Sequence, residues 1–131
     1  MSLPDVLLIE DDAAVRDVVC RLLQTHGYEV WSTETGEEAL EVERTAPIDL
    51  MVSDVILPGR DGFQVVAEIR RRAPHVAALF MSGQFDATMA MTAGLPADTP
   101  VLRKPFPLMD LVRLIQATVP PAEAAAVGAD S

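Results

Sequence analysis

The sequence predicts a doubly wound α/β domain, a five-stranded parallel sheet with helices covering both faces. Three observations lead there. Apolar runs of strand length alternate with stretches whose apolar residues recur at helical spacing. Most of the apolar runs stop abruptly at a charged residue or a turn signal. Half of the 131 residues are hydrophobic, which suits one packed domain of ordinary size that needs no staples.

Taken in order, Val6 to Ile9 is a strand-like run that ends in three acids, Glu10, Asp11 and Asp12. Val15, Val18, Val19, Leu22 and Leu23 then mark one face of a helix, with Gly27 as its stop. Tyr28 to Thr33 alternates apolar and polar side chains as a strand does. Thr35-Gly36-Glu37-Glu38 reads as a capping box, Ala39 and Leu40 open the buried face, and Pro47 ends that helix. Leu50 to Val52 forms the third strand, running into Ser53 and Asp54, and Pro58-Gly59 marks a turn. Asp61 and Gln64 resemble a second capping pair ahead of Phe63, Val66 and Ile69, and Pro74 stops the helix. Val76 to Met81 is the fourth strand, ending in Ser82-Gly83. Gln84 to Ala93 is expected to be a helix of weak periodicity, cut off by Gly94-Leu95-Pro96. Pro100 to Leu102 is a short fifth strand before Arg103-Lys104-Pro105. Leu108, Leu111, Val112 and Ile115 make the last helical stripe, closed by Pro120-Pro121. One domain over 1–120 and a frayed tail or linker remnant over 121–131, Ala-rich and without a core pattern, are expected.

Charge and composition narrow the function. Twenty acidic and ten basic side chains give a formal net charge of −10, which argues against a nucleic-acid or acidic-membrane surface. No apolar run approaches the roughly 20 residues of a membrane span. The N-terminus lacks a signal-peptide pattern. A single cysteine, Cys20, permits no internal disulfide and suits a reducing cytoplasm, where its place on an apolar stripe makes it a small core residue. His26 and His75 have no partners at motif spacing and read as surface residues near helix ends. Trp31 and Met81, Met89 and Met91 read as packing residues, and Arg70-Arg71-Arg72 as a solvated face at a helix C-terminus.

The chemistry collects at the strand ends. Strands one, three, four and five end at Glu10-Asp11, Asp54, Ser82 and Lys104. In a doubly wound sheet these ends open on one edge. Taken singly, Asp54 and the Glu10-Asp11 pair would be turn or capping residues, Lys104 a solvated charge and Ser82 a loop residue. Together they bring carboxylates, a hydroxyl and an ammonium to one small site. Clustered carboxylates repel and favour a bound cation, and oxygen ligands suit Mg²⁺ or Mn²⁺. A hard cation with a lysine and a hydroxyl suits a phosphoryl group, and a carboxylate left free can attack phosphorus.

On four motifs the chain resembles the receiver domains of two-component response regulators over roughly residues 5 to 119. These are Leu7-Leu8-Ile9-Glu10-Asp11-Asp12, Ser53-Asp54 with Leu57-Pro58 and Gly62, Met81-Ser82-Gly83, and Lys104-Pro105-Phe106. Each alone is weak, whereas all four in order at predicted strand ends are highly specific. The resemblance implies a flavodoxin-like (βα)5 fold of strand order 2-1-3-4-5. It implies Asp54 as the phosphoacceptor, with Lys104 on the phosphoryl oxygens and Ser82 bonded to the group after transfer. It implies Mg²⁺ (or Mn²⁺) on Asp11, Asp54 and the Ile56 carbonyl, with Glu10 acting through a water, and a cis Lys104-Pro105 peptide. Asp12 is expected to cap the first helix. The implied donor is a phosphohistidine on a sensor histidine kinase or histidine phosphotransfer protein. A downstream protein would follow, and the chain would be a monomer or weak dimer. It would be a switch that assists its own phosphorylation and dephosphorylation, not an enzyme. Phosphorylation would shift the surface of the fourth helix, fifth strand and fifth helix.

Two departures matter. Val101 stands where the family usually carries Tyr or Phe, so the aromatic relay is not expected, and the chain looks more like receivers of hybrid histidine kinases than those fused to DNA-binding domains. In the family the positions of Ile56 and Gln84 flank the path of hydrolytic water; Ile56 offers that water no hydrogen bond, whereas Gln84 could. The alternative is a receiver-like binding module that is not phosphorylated, which Val101 supports and the intact Glu10, Asp11, Asp54, Ser82 and Lys104 oppose. An aspartate-nucleophile phosphatase would want an acid at position 56, and a dinucleotide enzyme a Gly-rich turn after the first strand.

Overall fold

The fold was obtained as a computed structural model, which describes residues 3–83 and 99–121. In chain order the elements are β1 (Asp5–Ile9), α1 (Ala13–Thr25), β2 (Glu29–Thr33), α2 (Gly36–Thr45) and β3 (Leu50–Asp54). A small hairpin follows, β4 (Ile56–Leu57) and β5 (Arg60–Asp61), then α3 (Gly62–Arg72), β6 (Ala77–Ser82), β7 (Val101–Arg103) and α4 (Leu108–Thr118). The sheet order β2-β1-β3-β6-β7 is parallel throughout and equals 2-1-3-4-5 once the hairpin is set aside. The helix expected over Gln84 to Ala93 and the tail beyond Pro121 lie outside the described residues.

Alternation along the strands builds two cores, one on each face. Leu7 and Ile9 of β1, Met51 of β3 and Phe80 of β6 point towards α2 and α3, where Ala39, Phe63, Val66 and Ile69 are buried. Val6 and Leu8, Leu50 and Val52, and Leu79 and Met81 point the other way, onto Val19 and Leu23 of α1 and Leu111 and Ile115 of α4. Both faces are therefore dry, and the central strands read as apolar runs. Phe63 and Phe80 meet edge to face with centroids 4.5 Å apart.

The expected caps are present. Asp12 accepts from the amides of Ala14 and Val15. Thr35 accepts from the Glu38 amide while the Glu38 carboxylate reaches back to the Glu34 amide. Asp61 accepts from the Gln64 amide. Pro58-Gly59, expected as a turn, is the tip of the hairpin, where Gly59 has φ +73°. Proline followed by a positive-φ glycine is the signature of a type II turn. Arg60 in this hairpin pairs with Glu37 of α2 and Glu68 of α3, and Arg72 pairs with Glu43, so only part of the basic run is free solvated face.

Two packing expectations fail on exposure. Trp31 is 37% exposed on edge strand β2, where its indole N–H donates to Asp5 at 3.0 Å. Its position alternates with Val30 and faces outward at the sheet margin. Val18, on the expected helical stripe, is 46% exposed because α1 buries a narrower face, centred on Val19 and Leu23. Cys20 is half-buried against the same core, and burial raises its thiol pKa. His26 caps the end of α1 through Leu22, and His75 is exposed.

Tyr28 ties the far end of the domain together. Its hydroxyl donates to the Val119 carbonyl at 2.7 Å, and its ring is buried. Burial pushes its pKa up to about 12 from 10.0. A raised folded-state pKa means that the stabilising contribution is whole below pH 10 and lost as pH climbs towards 12. On the order of 2 kcal/mol should disappear across that window. Tyr28→Phe should lose about 1 kcal/mol at neutral pH with the hydrogen bond. Its urea midpoint should then fall less steeply than wild type between pH 10 and 12. Parallel curves for the two proteins would refute this role.

Candidate functional site

Because the sheet is parallel, the carboxyl ends of β1, β3, β6 and β7 share one edge, and each delivers a polar residue to it. Glu10 follows β1, Asp54 ends β3, Ser82 ends β6 and Lys104 follows β7. The Lys104 Nζ lies 3.0 Å from Asp54 Oδ2 and 3.1 Å from Glu10 Oε2, so one ammonium bridges two strand-end carboxylates. Asp11 joins them from the β1–α1 loop. Carboxylate oxygens of Glu10, Asp11 and Asp54 all lie within 4.8 Å of one another. Glu10 and Asp54 are buried, whereas Asp11 is exposed. Ser82 is buried, and its carbonyl accepts from the Lys104 amide at 2.7 Å. The Lys104-Pro105 peptide is cis, as the resemblance implied. Ile56 sits two residues past Asp54 with its side chain more than half exposed.

The expected residues Glu10, Asp11, Asp54, Ser82 and Lys104 thus gather at one edge. Residue 84 is outside the described residues. Val101 pairs in register with Phe80 and packs partly buried against the α2–α3 core, with no ring to swing outward.

The electrostatics are lopsided. Burial, then the charge on Asp54, raises the pKa of Glu10, and hydrogen bonds from Lys104 and the Asp12 amide only partly oppose this. Burial alone would lower Lys104, but its bonds to Asp54 and Glu10 outweigh that and hold its pKa above the ordinary 10.5. Lys104 therefore stays charged at neutral pH. Against its single charge stand three carboxylates, a net negative cluster in a partly dry setting. Its donors are all oxygen, the set that hard divalent cations take.

Further features were not visible in the sequence. Arg16, one turn into α1, donates from Nη1 to the Glu10 carbonyl at 2.9 Å and so caps the end of β1. A lone arginine on a helix carries no signal of that reach. An apolar groove of about 460 Å³ opens beside Lys104, lined by Val15, Val19, Pro105, Phe106 and Leu108. It joins residues far apart in the chain, which no local pattern can reveal.

A parallel α/β sheet with an acid cluster and a lysine at its carboxyl edge is the arrangement that the receiver resemblance implied. The sequence matches the response regulator receiver domain over residues 6–116. The chain belongs to that family. It is 40% identical over 115 residues to the sensor kinase CckA of Brucella abortus (strain 2308), covering 85% of this chain and 12% of the kinase. It is 31% identical over 111 residues to the response regulator receiver protein CpdR of the same organism, covering 85% of this chain and 92% of CpdR. The high-resolution structure of the chemotaxis response regulator CheY4 of Vibrio cholerae superposes with a TM-score of 0.80 at 28% identity, over 90% of this chain and 100% of that one. Among the described residues no helix is long and apolar enough to cross a membrane.

Proposed function

We propose that Asp54 is the phosphoacceptor, receiving its phosphoryl group from a phosphohistidine on a sensor histidine kinase or histidine phosphotransfer protein. The observation that carries the reading is the Lys104 ammonium held between Asp54 and Glu10, at 3.0 and 3.1 Å. An Asp54 oxygen attacks phosphorus, the P–N bond to the donor imidazole breaks, and the imidazole leaves with the bond's electron pair. Lys104 turns from the carboxylates to the phosphoryl oxygens, where charge develops. Ser82, buried beside Lys104 in the chain of backbone bonds, closes on the group afterwards. Glu10, Asp11, Asp54 and the Ile56 carbonyl would hold Mg²⁺ or Mn²⁺. When bound, the cation neutralises charge on the transferring group. The protein is consumed as its own substrate and reset by hydrolysis, so it acts as a switch and not as a turnover enzyme.

The apolar groove beside Lys104, continued by exposed Val18, supports docking of the phosphodonor within reach of Asp54. Val101 and the likeness to a sensor kinase support a receiver that serves a kinase-linked relay. A cytoplasmic site of action follows from a phosphohistidine donor.

The test is direct. With Mg²⁺ and acetyl phosphate or a phosphoramidate, intact mass should rise by one phosphoryl group in wild type and stay unchanged in Asp54→Asn. No labelling with any donor would leave a binding module instead. A second measurement concerns Ile56, whose exposed side chain offers no hydrogen bond to water near Asp54. Ile56→Asn should shorten the half-life of the acyl phosphate several-fold, and identical decay in the two proteins would exclude Ile56 from the water path.

A further inference from the structure

The peptide unit that follows Asp54 is held at both ends and on one side. Its N–H, that of Val55, donates to the Met81 carbonyl at 3.0 Å. Its C=O, that of Asp54, accepts from the Ser53 hydroxyl at 2.9 Å, and Ser53 is fully buried. On the remaining side lies Gly62, the first residue of α3. A Cβ on Gly62 would stand 2.0 Å from the Asp54 carbonyl oxygen, 3.0 Å from the Asp54 carbonyl carbon and 2.8 Å from Ser53 Oγ. The first two of those atoms are backbone and cannot rotate away. The Gly62 amide also donates to the Val55 carbonyl at 2.6 Å, so the start of α3 is pinned against this same turn.

We infer that Ser53 and Gly62 are positioning residues for Asp54: together they lock the peptide after it, and so fix where its carboxylate points. This rests on Asp54 as the phosphoacceptor. The Asp54 side chain leaves the backbone one bond from the locked peptide. Its carboxylate meets Lys104 at 3.0 Å, so a backbone shift of an ångström would move it relative to that ammonium. Ser53 matters because its hydroxyl both donates to the Asp54 carbonyl and lies against Gly62, 2.8 Å from where a Cβ would stand. Gly62 matters because any side chain there must displace either that carbonyl or the helix that carries it.

Gly36 supplies the control. It too opens a helix and is buried, but a Cβ there would meet the Val65 Cγ2 at 2.7 Å and the Arg60 Cδ at 3.4 Å, side-chain atoms and not the Asp54 peptide. The full chain would be labelled with acetyl phosphate and Mg²⁺ over a range of donor concentrations, as wild type, Gly62→Ala, Ser53→Ala and Gly36→Ala. Melting temperatures and the Val55 amide resonance would be measured without metal. Gly62→Ala should lower the maximal labelling rate by about tenfold or more. The half-saturating donor concentration should stay within twofold, and the Val55 amide should shift and exchange faster. Gly36→Ala should lower the melting temperature with its labelling rate unchanged. If Gly62→Ala does not fold, Ser53→Ala decides, and its maximal rate should fall at least threefold. A rate within twofold of wild type in the deciding variant, with the Val55 amide unmoved, would overturn the inference while leaving Asp54 as the acceptor. An equal loss in Gly36→Ala would also overturn it. Absence of label in wild type would overturn both.

Discussion

Lys104→Met should melt well below wild type in metal-free buffer and should accept label at least about a hundredfold more slowly, the scale of losing one preorganised charge at a reacting centre. Methionine keeps the length and most of the volume of the lysine stem, so the change isolates the ammonium. That ammonium bridges Asp54 and Glu10, both buried. Removing it leaves two neighbouring carboxylates without a cation, and breaking a buried pair from one side costs several kcal/mol. Lys104 is itself partly exposed, so water offsets some of this, and about 2 kcal/mol is expected. For a domain of this size that is a fall of about 8 °C. Added Mg²⁺ should recover part of the melting temperature but little of the rate, because the cation replaces the charge without reaching where Lys104 stood. Unchanged labelling in Lys104→Met would remove the lysine from the reaction.

The opposite sign is expected for Glu10→Gln. Burial and the Asp54 charge raise the Glu10 pKa against the pull of Lys104, so the ionised form is the disfavoured one in the fold. An amide keeps an oxygen for the Asp12 amide and sheds the charge. Glu10→Gln should therefore stabilise the metal-free domain at pH 7 by about 1 kcal/mol, a usual gain from relieving one unfavourable charge. The linkage sign is fixed by a raised carboxylate. The favourable contribution is whole below the unfolded value and lost as pH rises through the folded one. The gap between variant and wild type should accordingly close as pH falls through the raised Glu10 value towards the unfolded one. Saturating Mg²⁺ should stabilise the variant less than wild type, since binding stabilises only as far as affinity is retained. A variant less stable than wild type without metal would refute the account of Glu10 as a strained acid. The same site thus spends fold stability on charge, and the two substitutions should move the melting temperature in opposite directions.

Much of this was legible in the chain because each active strand is short, apolar and ended by its functional residue. Ile9 runs into Glu10 and Val52 into Ser53-Asp54, so strand and site were read from the same few residues. Caps were legible for a similar reason, since Asp12, Thr35 and Asp61 act within three residues of themselves. The hairpin was read only as a turn, because two-residue strands carry no periodicity. Val18 and Trp31 were misplaced because a stripe or an alternation says which residues share a face, and says nothing of whether a neighbour covers it. Arg16 and Gly62 were the least visible in role. Their partners, a strand-end carbonyl and the Asp54 peptide, are main-chain atoms that no side-chain pattern names.

The Tyr28 bond to Val119 has a companion one residue on, where the Glu29 amide donates to the Pro4 carbonyl at 2.9 Å. Residues 4 and 119 are therefore both tied to the start of β2, at the end of the sheet opposite Asp54. Polypeptide spliced on at either place would leave the domain at the end away from Asp54. The domain is geometrically a cassette, one that can be moved between longer chains while the Asp54 edge keeps its access to solvent.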